Sequence, residues 1–148
     1  MAPRPLKPQL AYPVHLDAEE DGGYVATLPD FGVGVTQGDD REEALGQAAD
    51  LLETMVANYM AEGWDLPEPS PARGRPVVRL APLVAAKAEV YRAMRQAGID
   101  KAELGRRVGM RPEAVDRLFS IHHEIGLDRI EAALAALGRR LVISVEAA

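Results

Sequence analysis

The chain has 148 residues, 47% of them apolar, and a formal net charge of -6, enough for one domain of ordinary size or two small ones. It has no cysteine, which excludes a disulfide framework, a thiol nucleophile and a cysteine zinc site. No apolar run approaches the roughly 18 residues of a membrane span and the opening MAPRPLKPQ lacks the apolar core of a signal peptide, so a cytoplasmic protein is expected.

Leu10, Tyr12, Val14 and Leu16 alternate with the period of a half-buried strand, and Pro13 marks it as an edge or an early strand position. Glu20-Asp21-Gly22-Gly23 is a turn. Tyr24 to Leu28 makes a second alternating run that ends at Pro29-Asp30, and Val33 to Gln37 a short third strand, giving a meander. Asp40 with Glu43 three residues on is a capping pattern ahead of a long amphipathic helix. Its Leu45, Ala48, Leu52, Met55, Val56 and Tyr59 share one side, so the helix covers one sheet face and leaves the other open for docking.

From Gly63 to Pro76 the segment GWDLPEPSPARGRP breaks any helix with four prolines; within it, residues 67–76 are the linker. The charge divides at nearly the same place. Residues 1–69 hold three basic against fourteen acidic residues, and residues 70–148 fourteen basic against nine acidic, for balances of -11 and +5. Such a split suggests two different partners, although acidic surfaces also serve solubility alone. Past the linker, Val77 to Leu80 reads as a strand and Val84 to Gln96 as a helix carrying Ala88, Tyr91 and Met94 inward until Gly98 stops it.

Lys101 to Ser120, KAELGRRVGMRPEAVDRLFS, follows the packing rules of a helix-turn-helix. Gly105 sits where the two helices approach most closely, and Gly109 where the chain leaves the first helix in a left-handed conformation. Leu104, Val108, Met110, Val115 and Leu118 supply the apolar contacts, Asp100 with Glu103 caps the first helix, and Pro112 opens the second. An ordinary αα-hairpin would suit the same small residues. Leu127, Asp128 and Glu131 start one more helix, closed by Gly138, and Leu141 to Val145 ends the chain as an alternating strand. A lone strand cannot satisfy its backbone, so it is expected to pair with Val77 to Leu80, with the N-terminal sheet or, preferably, with its own copy across a two-fold axis.

The motifs YP, GGY-V-A-T-LPD, V-T-QGDD-REEAL and W-D-LPEPS, over roughly Leu10 to Ser70, resemble the HicB antitoxin family of type II HicAB toxin-antitoxin systems. The KAEVYRAM helix and LGRRLVISV ending are similar to its helix-turn-helix version. Where the family commonly has Pro-Gly-Cys, this chain has Gly32-Val33-Gly34, a looser turn that removes no charged group. The resemblance implies an antitoxin that neutralises a small basic ribonuclease, a HicA-like mRNA interferase, and acts as a transcription repressor in autoregulation of its operon. It also implies a partial RNase H-like N-terminal module. The expected fold is therefore α+β: a small β-β-β-α(-β) layer in residues 1–66, the Pro-rich linker 67–76, and a helical DNA-binding and dimerisation domain in 77–148 with a terminal strand.

In that frame, Asp30, Phe31, Asp39 and Asp40, at strand ends and loops, are the candidate toxin contacts, together with the open sheet face. Asp39 and Asp40 equally suit a helix cap, and Phe31 a core position. On the second helix of the motif, Arg111, Pro112, Glu113, Asp116, Arg117 and Ser120 lie opposite Val115 and Leu118 and are the candidate DNA contacts. Lys101, Arg106 and Arg107 are candidates for the phosphate backbone. Glu113 and Asp116 repel phosphate, so each is either an acceptor for cytosine N4 or a charge paired with Arg117 or a neighbour.

Metal-dependent nuclease chemistry needs converging carboxylates, and the sequence shows none, since most acidic residues fall in turns or at the helix start. No catalysis and no cofactor are expected. His122-His123 has no evident third metal ligand and suits a helix C-terminus or a phosphate contact. The alternative function is a one-component repressor answering to a small ligand, which would need a closed apolar pocket in the first 70 residues.

Overall fold

A computed structural model of the chain describes residues 10–147. Contacts cluster these residues into two compact units: the residues up to Asn58 with Leu66–Ala85, and Tyr59–Asp65 with the residues from Ala86 on. The architecture is α+β, a small antiparallel sheet in the N-terminal part and helices in the C-terminal part.

In the first unit the expected opening strand is two short ones, β1 (Ala11–Pro13) and β2 (His15–Ala18), separated at Val14. β2 pairs with β3 (Tyr24–Thr27), which pairs with β4 (Val35–Gly38), both antiparallel. β1 instead pairs with β5 (Val77–Arg79), with Tyr12 opposite Val78, and the Val14 N–H donates to the Pro76 carbonyl at 2.8 Å. The backbone is thus satisfied across the break. β4 starts two residues later than its apolar run suggests. Gly32 (φ 71°) and Gly34 (φ 91°) turn the chain between a short 3-10 turn at Pro29–Phe31 and the strand.

The long helix α1 (Arg41–Glu62) starts as the Asp40 and Glu43 pattern requires. The Glu43 N–H donates to Asp40 Oδ1 at 2.8 Å, and Glu43 Oε2 accepts from the Asp39 N–H at 3.0 Å. Ala44, Ala48, Leu52 and Val56, at four-residue spacing, are fully buried, while Leu45 and Met55 are half-buried. This stripe meets Tyr12, Val14, Ala26, Leu28, Phe31 and Val78 in one apolar core. Gly38 is required at the contact, because a Cβ there would collide with the Ala44 backbone at the first turn of α1.

The second unit is helical. α2 (Pro82–Gln96), which begins in the first unit, is followed by α3 (Lys101–Val108), α4 (Pro112–Leu118) and α5 (Leu127–Ala136). α3 packs on both α4 and α5. The core comprises Met60, Ala88, Val90, Tyr91, Met94, Leu104, Val115, Leu118, Phe119, Ile130 and Ala133. Tyr91 lies edge-on to Phe119, and its hydroxyl donates to the Trp64 carbonyl at 2.7 Å. Arg95 Nε bonds Asp65 Oδ1 at 2.7 Å, which raises the Arg95 pKa above the ordinary arginine value.

Of the pairings expected for Leu141 to Val145, the two within one chain, with Val77 to Leu80 and with the N-terminal sheet, are not formed among the described residues. Leu141 to Val145 forms no strand in the single chain; the backbone beyond Gly138 is irregular, with Val142, Ile143 and Val145 exposed. A strand exists only by pairing, and β5 takes β1, not this segment, as its partner. No helix among the described residues is long and apolar enough to cross a membrane. The Pro-rich opening, residues 1–9, lies outside the described residues.

Candidate functional site

The residues singled out for chemistry fall in two places, one in each unit. In the second, α3 and α4 are joined by the turn Gly109-Met110-Arg111. Asp100 caps α3, accepting the Glu103 N–H at 2.8 Å. Gly109 ends it with a left-handed φ of 69°. Pro112, at the first position of α4, spares the helix an unsatisfied N–H. A Cβ on Gly105 would stand 2.9 Å from the Met110 carbonyl and 3.1 Å from Val115 Cγ2, so this contact accepts only glycine without movement.

Buried Leu104, Val115 and Leu118 turn the opposite faces outward. Arg111, Pro112, Glu113, Asp116 and Arg117 are all exposed, and Ser120 is half-buried. Glu113 and Asp116 are in ion pairs with no described residue, so the pairing with Arg117 open in the sequence is not formed. Lys101, Arg106 and Arg111 line an open cleft of about 370 Å³ together with Met110, Pro112 and Val115. Lys101 Nζ lies 5.7 Å from the centre of the Phe119 ring, a cation–π distance.

Arg106 and Arg107 converge on Glu103. Arg106 donates from Nε at 2.9 Å and from Nη2 at 2.7 Å to Oε2, and Arg107 Nε donates to Oε1 at 3.1 Å. The Arg106 hydrogen bonds first, then that of Arg107, hold the Glu103 carboxyl below the usual glutamate range. Both guanidinium groups stay accessible, with side chains 68% and 44% exposed, so a phosphate can compete for them. His122 and His123 are exposed in the loop after α4; among the described residues no group of three or more potential ligands could hold a metal ion.

The acidic candidates are less alike than their shared chemistry suggests. Asp30 accepts with both oxygens from Ser70, at 2.9 Å from the backbone N–H and 2.5 Å from the hydroxyl, and so ties the Pro-rich segment to the 3-10 turn. Phe31 is buried, its ring 4.9 Å from that of Tyr12. Asp39 and Asp40 are exposed at the start of α1, where Asp40 is the cap. The strand register places His15, Asp17, Val25, Thr27, Val35 and Gln37 on the sheet face turned away from Gly38 and α1. That face is open: Val35 is 65% exposed and neighbouring Val33 is 64% exposed.

Lys87, a residue the sequence does not single out, is a buried charge beside the candidates of α4. Its position, between Val84 and Tyr91 on the inward stripe of α2, was the available signal. A charge at core spacing is rarely left there unless something holds it. The ammonium is fully buried and donates to the carbonyls of Arg117 at 3.1 Å, Ser120 at 2.5 Å and His123.

Sequence comparison places these features. Residues 11–89, more than half of the chain, match the family described as HicB_like antitoxin of bacterial toxin-antitoxin system. Antitoxin HicB 1 of Photorhabdus laumondii subsp. laumondii is 34% identical over 93% of this chain and 88% of its own length. Antitoxin HicB of Escherichia coli K12 is 35% identical over 89% of this chain and 96% of its own. Antitoxin HicB of Pseudomonas fluorescens is 36% identical, over 90% and 93%. The motif segments at both ends of the acidic half fall inside the matched residues, and the relatives extend the match through the helical part: the chain belongs to the HicB antitoxin family of bacterial toxin-antitoxin systems.

Proposed function

We propose that this antitoxin neutralises a small basic ribonuclease toxin, a HicA-like mRNA interferase, through its acidic N-terminal part, residues 1–66. In the same reading it represses its own operon through the α3–α4 pair acting as a helix-turn-helix in residues 77–148. The carrying observation is the glycine-tight α3–α4 contact at Gly105, with Arg111 and Arg117 presented from the exposed face of the second helix. In a helix-turn-helix that helix enters the major groove, where an arginine bonds guanine O6 and N7. Exposed Glu113 and Asp116 would accept from cytosine N4 and so restrict sequence. Lys101, Arg106 and Arg107 would hold phosphates.

On the acidic side, Asp39, Asp40 and the open sheet face with Val35 are the surface offered to the toxin. Opposite charge speeds the encounter, and apolar contacts set the residence time. Asp30 and Phe31 would act from behind it by holding the 3-10 turn in place. The exposed Val142, Ile143 and Val145 support a homodimer in which Leu141–Val145 pairs with its own copy. The antitoxin relatives favour this reading over a ligand-responsive repressor.

The test is growth of cells induced for the short reading frame beside this gene, with and without this protein, alongside a gel-shift titration on the DNA upstream of the pair. Relief of arrest by the full chain and by an Asp39→Lys, Asp40→Lys variant alike would remove the acidic rim from the toxin contact. No arrest, or arrest that the chain leaves untouched, would end the neutralising role for this pair, and an unshifted duplex would end the repressor role.

A further inference from the structure

A lysine ammonium buried away from water is expensive unless its environment compensates for the lost hydration. Lys87 is 0% exposed. Among the described residues its hydrogen-bond partners are backbone carbonyls only, with no carboxylate in an ion pair. Burial accordingly lowers its pKa from the ordinary lysine value.

The carbonyls it gathers are not arbitrary. Arg117 lies in the last turn of α4, at the negative end of the helix dipole, where its carbonyl accepts the Ser120 N–H at 3.3 Å and has its second lone pair left for Lys87. Ser120 and His123 lie in the loop that leaves α4. One ammonium therefore closes the C-terminal end of α4 and fixes the first turn of the loop, with three donors meeting three acceptors. One turn further along α2, Tyr91 packs edge-on against Phe119, the residue that caps α4. Two side chains of α2 at four-residue spacing thus grip the same end of α4.

We propose that Lys87 is the positioning residue of the DNA-reading helix: it anchors the C-terminal end of α4 through the Arg117, Ser120 and His123 carbonyls and so sets the direction in which Arg111 and Arg117 are presented to the bases. This rests on the reading of α3–α4 as the operator-binding pair. Lys87 itself touches no DNA; it acts through α4. Loss of the anchor leaves α4 its contact with α3 at Gly105 but frees its far end to pivot. Phosphate contacts tolerate such movement because charge attraction is weakly directional, whereas bidentate base contacts do not.

The test uses the full chain and two duplexes of equal length, the DNA upstream of the gene pair and a scrambled sequence, with affinities read by fluorescence anisotropy at one salt concentration. Lys87→Met keeps the bulk of the side chain without its donors, and Lys87→Gln keeps an N–H donor without the charge. Ile130→Val, a core change in α5, serves as a variant of lowered stability with the anchor intact. Lys87→Met is expected to lower the ratio of operator to scrambled affinity by about tenfold, equivalent to about 1.4 kcal/mol. Lys87→Gln is expected to fall between it and the parent, and Ile130→Val to leave the ratio unchanged. A folded Lys87 variant that keeps the parent ratio overturns the proposal. So does Ile130→Val lowering the ratio as much as Lys87→Met, since stability alone would then account for the loss. Should Lys87→Met not fold, Lys87→Gln decides by the same ratio. An Arg117→Ala control separates the two readings: if the parent prefers the operator and Arg117→Ala loses that preference while Lys87→Met keeps it, only the anchor fails. If the parent shows no preference, the DNA reading fails and takes the anchor with it.

Discussion

Glu103 holds both Arg106 and Arg107, the α3 residues proposed to meet phosphate. In the proposed DNA complex a phosphate would compete with this carboxylate for the two guanidinium groups, whose remaining N–H donors stay accessible. Glu103→Gln removes the negative charge and keeps the shape, so affinity for operator and scrambled duplex alike is expected to rise. The plot of log affinity against log salt should steepen by about one unit for each further phosphate that the freed arginines neutralise; an unchanged slope in a salt titration would place Arg106 and Arg107 outside the interface. The lowered Glu103 pKa has a definite sign in pH. A carboxyl with a depressed folded pKa stabilises the fold above its unfolded pKa and loses that contribution as pH falls through the folded one. Its NMR titration midpoint is therefore expected below the ordinary glutamate value in the parent and should move back up in an Arg106→Ala, Arg107→Ala variant. The expectation for Arg117 differs. If it reads a base, Arg117→Ala costs about 1–3 kcal/mol of operator binding and relaxes specificity at one position. A uniform loss across sequences would make it a phosphate contact instead.

At the scale of elements, Gly105 brings α3 close to the turn and to α4, with the Met110 carbonyl 2.9 Å and Val115 Cγ2 3.1 Å from where a Cβ would lie. Gly105→Val is expected to force the helices apart, lowering the melting temperature and abolishing operator binding together; a folded variant with parental operator affinity would show that the α3–α4 packing is not what the DNA reads. This pair was legible in the sequence because its constraints are local: Asp100 caps, Gly109 turns left-handed and Pro112 starts a helix, each by rules spanning four residues. The β meander and α1 were legible for the same reason, by period and cap. What escaped was non-local. The break at Val14 arises because one run of chain serves two partners, β5 before it and β3 after it, and nothing in the alternation of Leu10 to Leu16 states that division. The late start of β4 comes from the left-handed glycines at 32 and 34. Lys87 was overlooked because its partners are carbonyls 30 to 36 residues away, which leave no trace in side-chain identity. Among the acidic candidates, sequence could name Asp30 but not foresee that Ser70, 40 residues on, engages both its oxygens.

Across the whole molecule, a balance of -11 in residues 1–69 and +5 in residues 70–148 suits the two proposed partners, a basic toxin and DNA, each met through a different part of the chain. Binding DNA with a single short recognition helix is weak, and helix-turn-helix proteins gain affinity and specificity by presenting two such helices about one DNA turn, ~34 Å, apart. In the proposed dimer the pairing segment is Leu141–Val145, which has the alternation of a strand, lies outside any sheet in the single chain and exposes Val142, Ile143 and Val145. Pairing with its own copy would satisfy the segment's backbone and cover apolar surface in one step. Ile143→Pro removes a backbone donor from the middle of such a ladder, and Val142→Asp, Val145→Asp places charge on its side chains. Either variant is expected to shift the sedimentation of the purified chain from dimer towards monomer and to weaken operator binding, while binding to a single half-site changes little. A dimer that survives both changes would move the two-fold contact elsewhere on the chain. A parent that sediments as a monomer would leave the C-terminal segment without a pairing role.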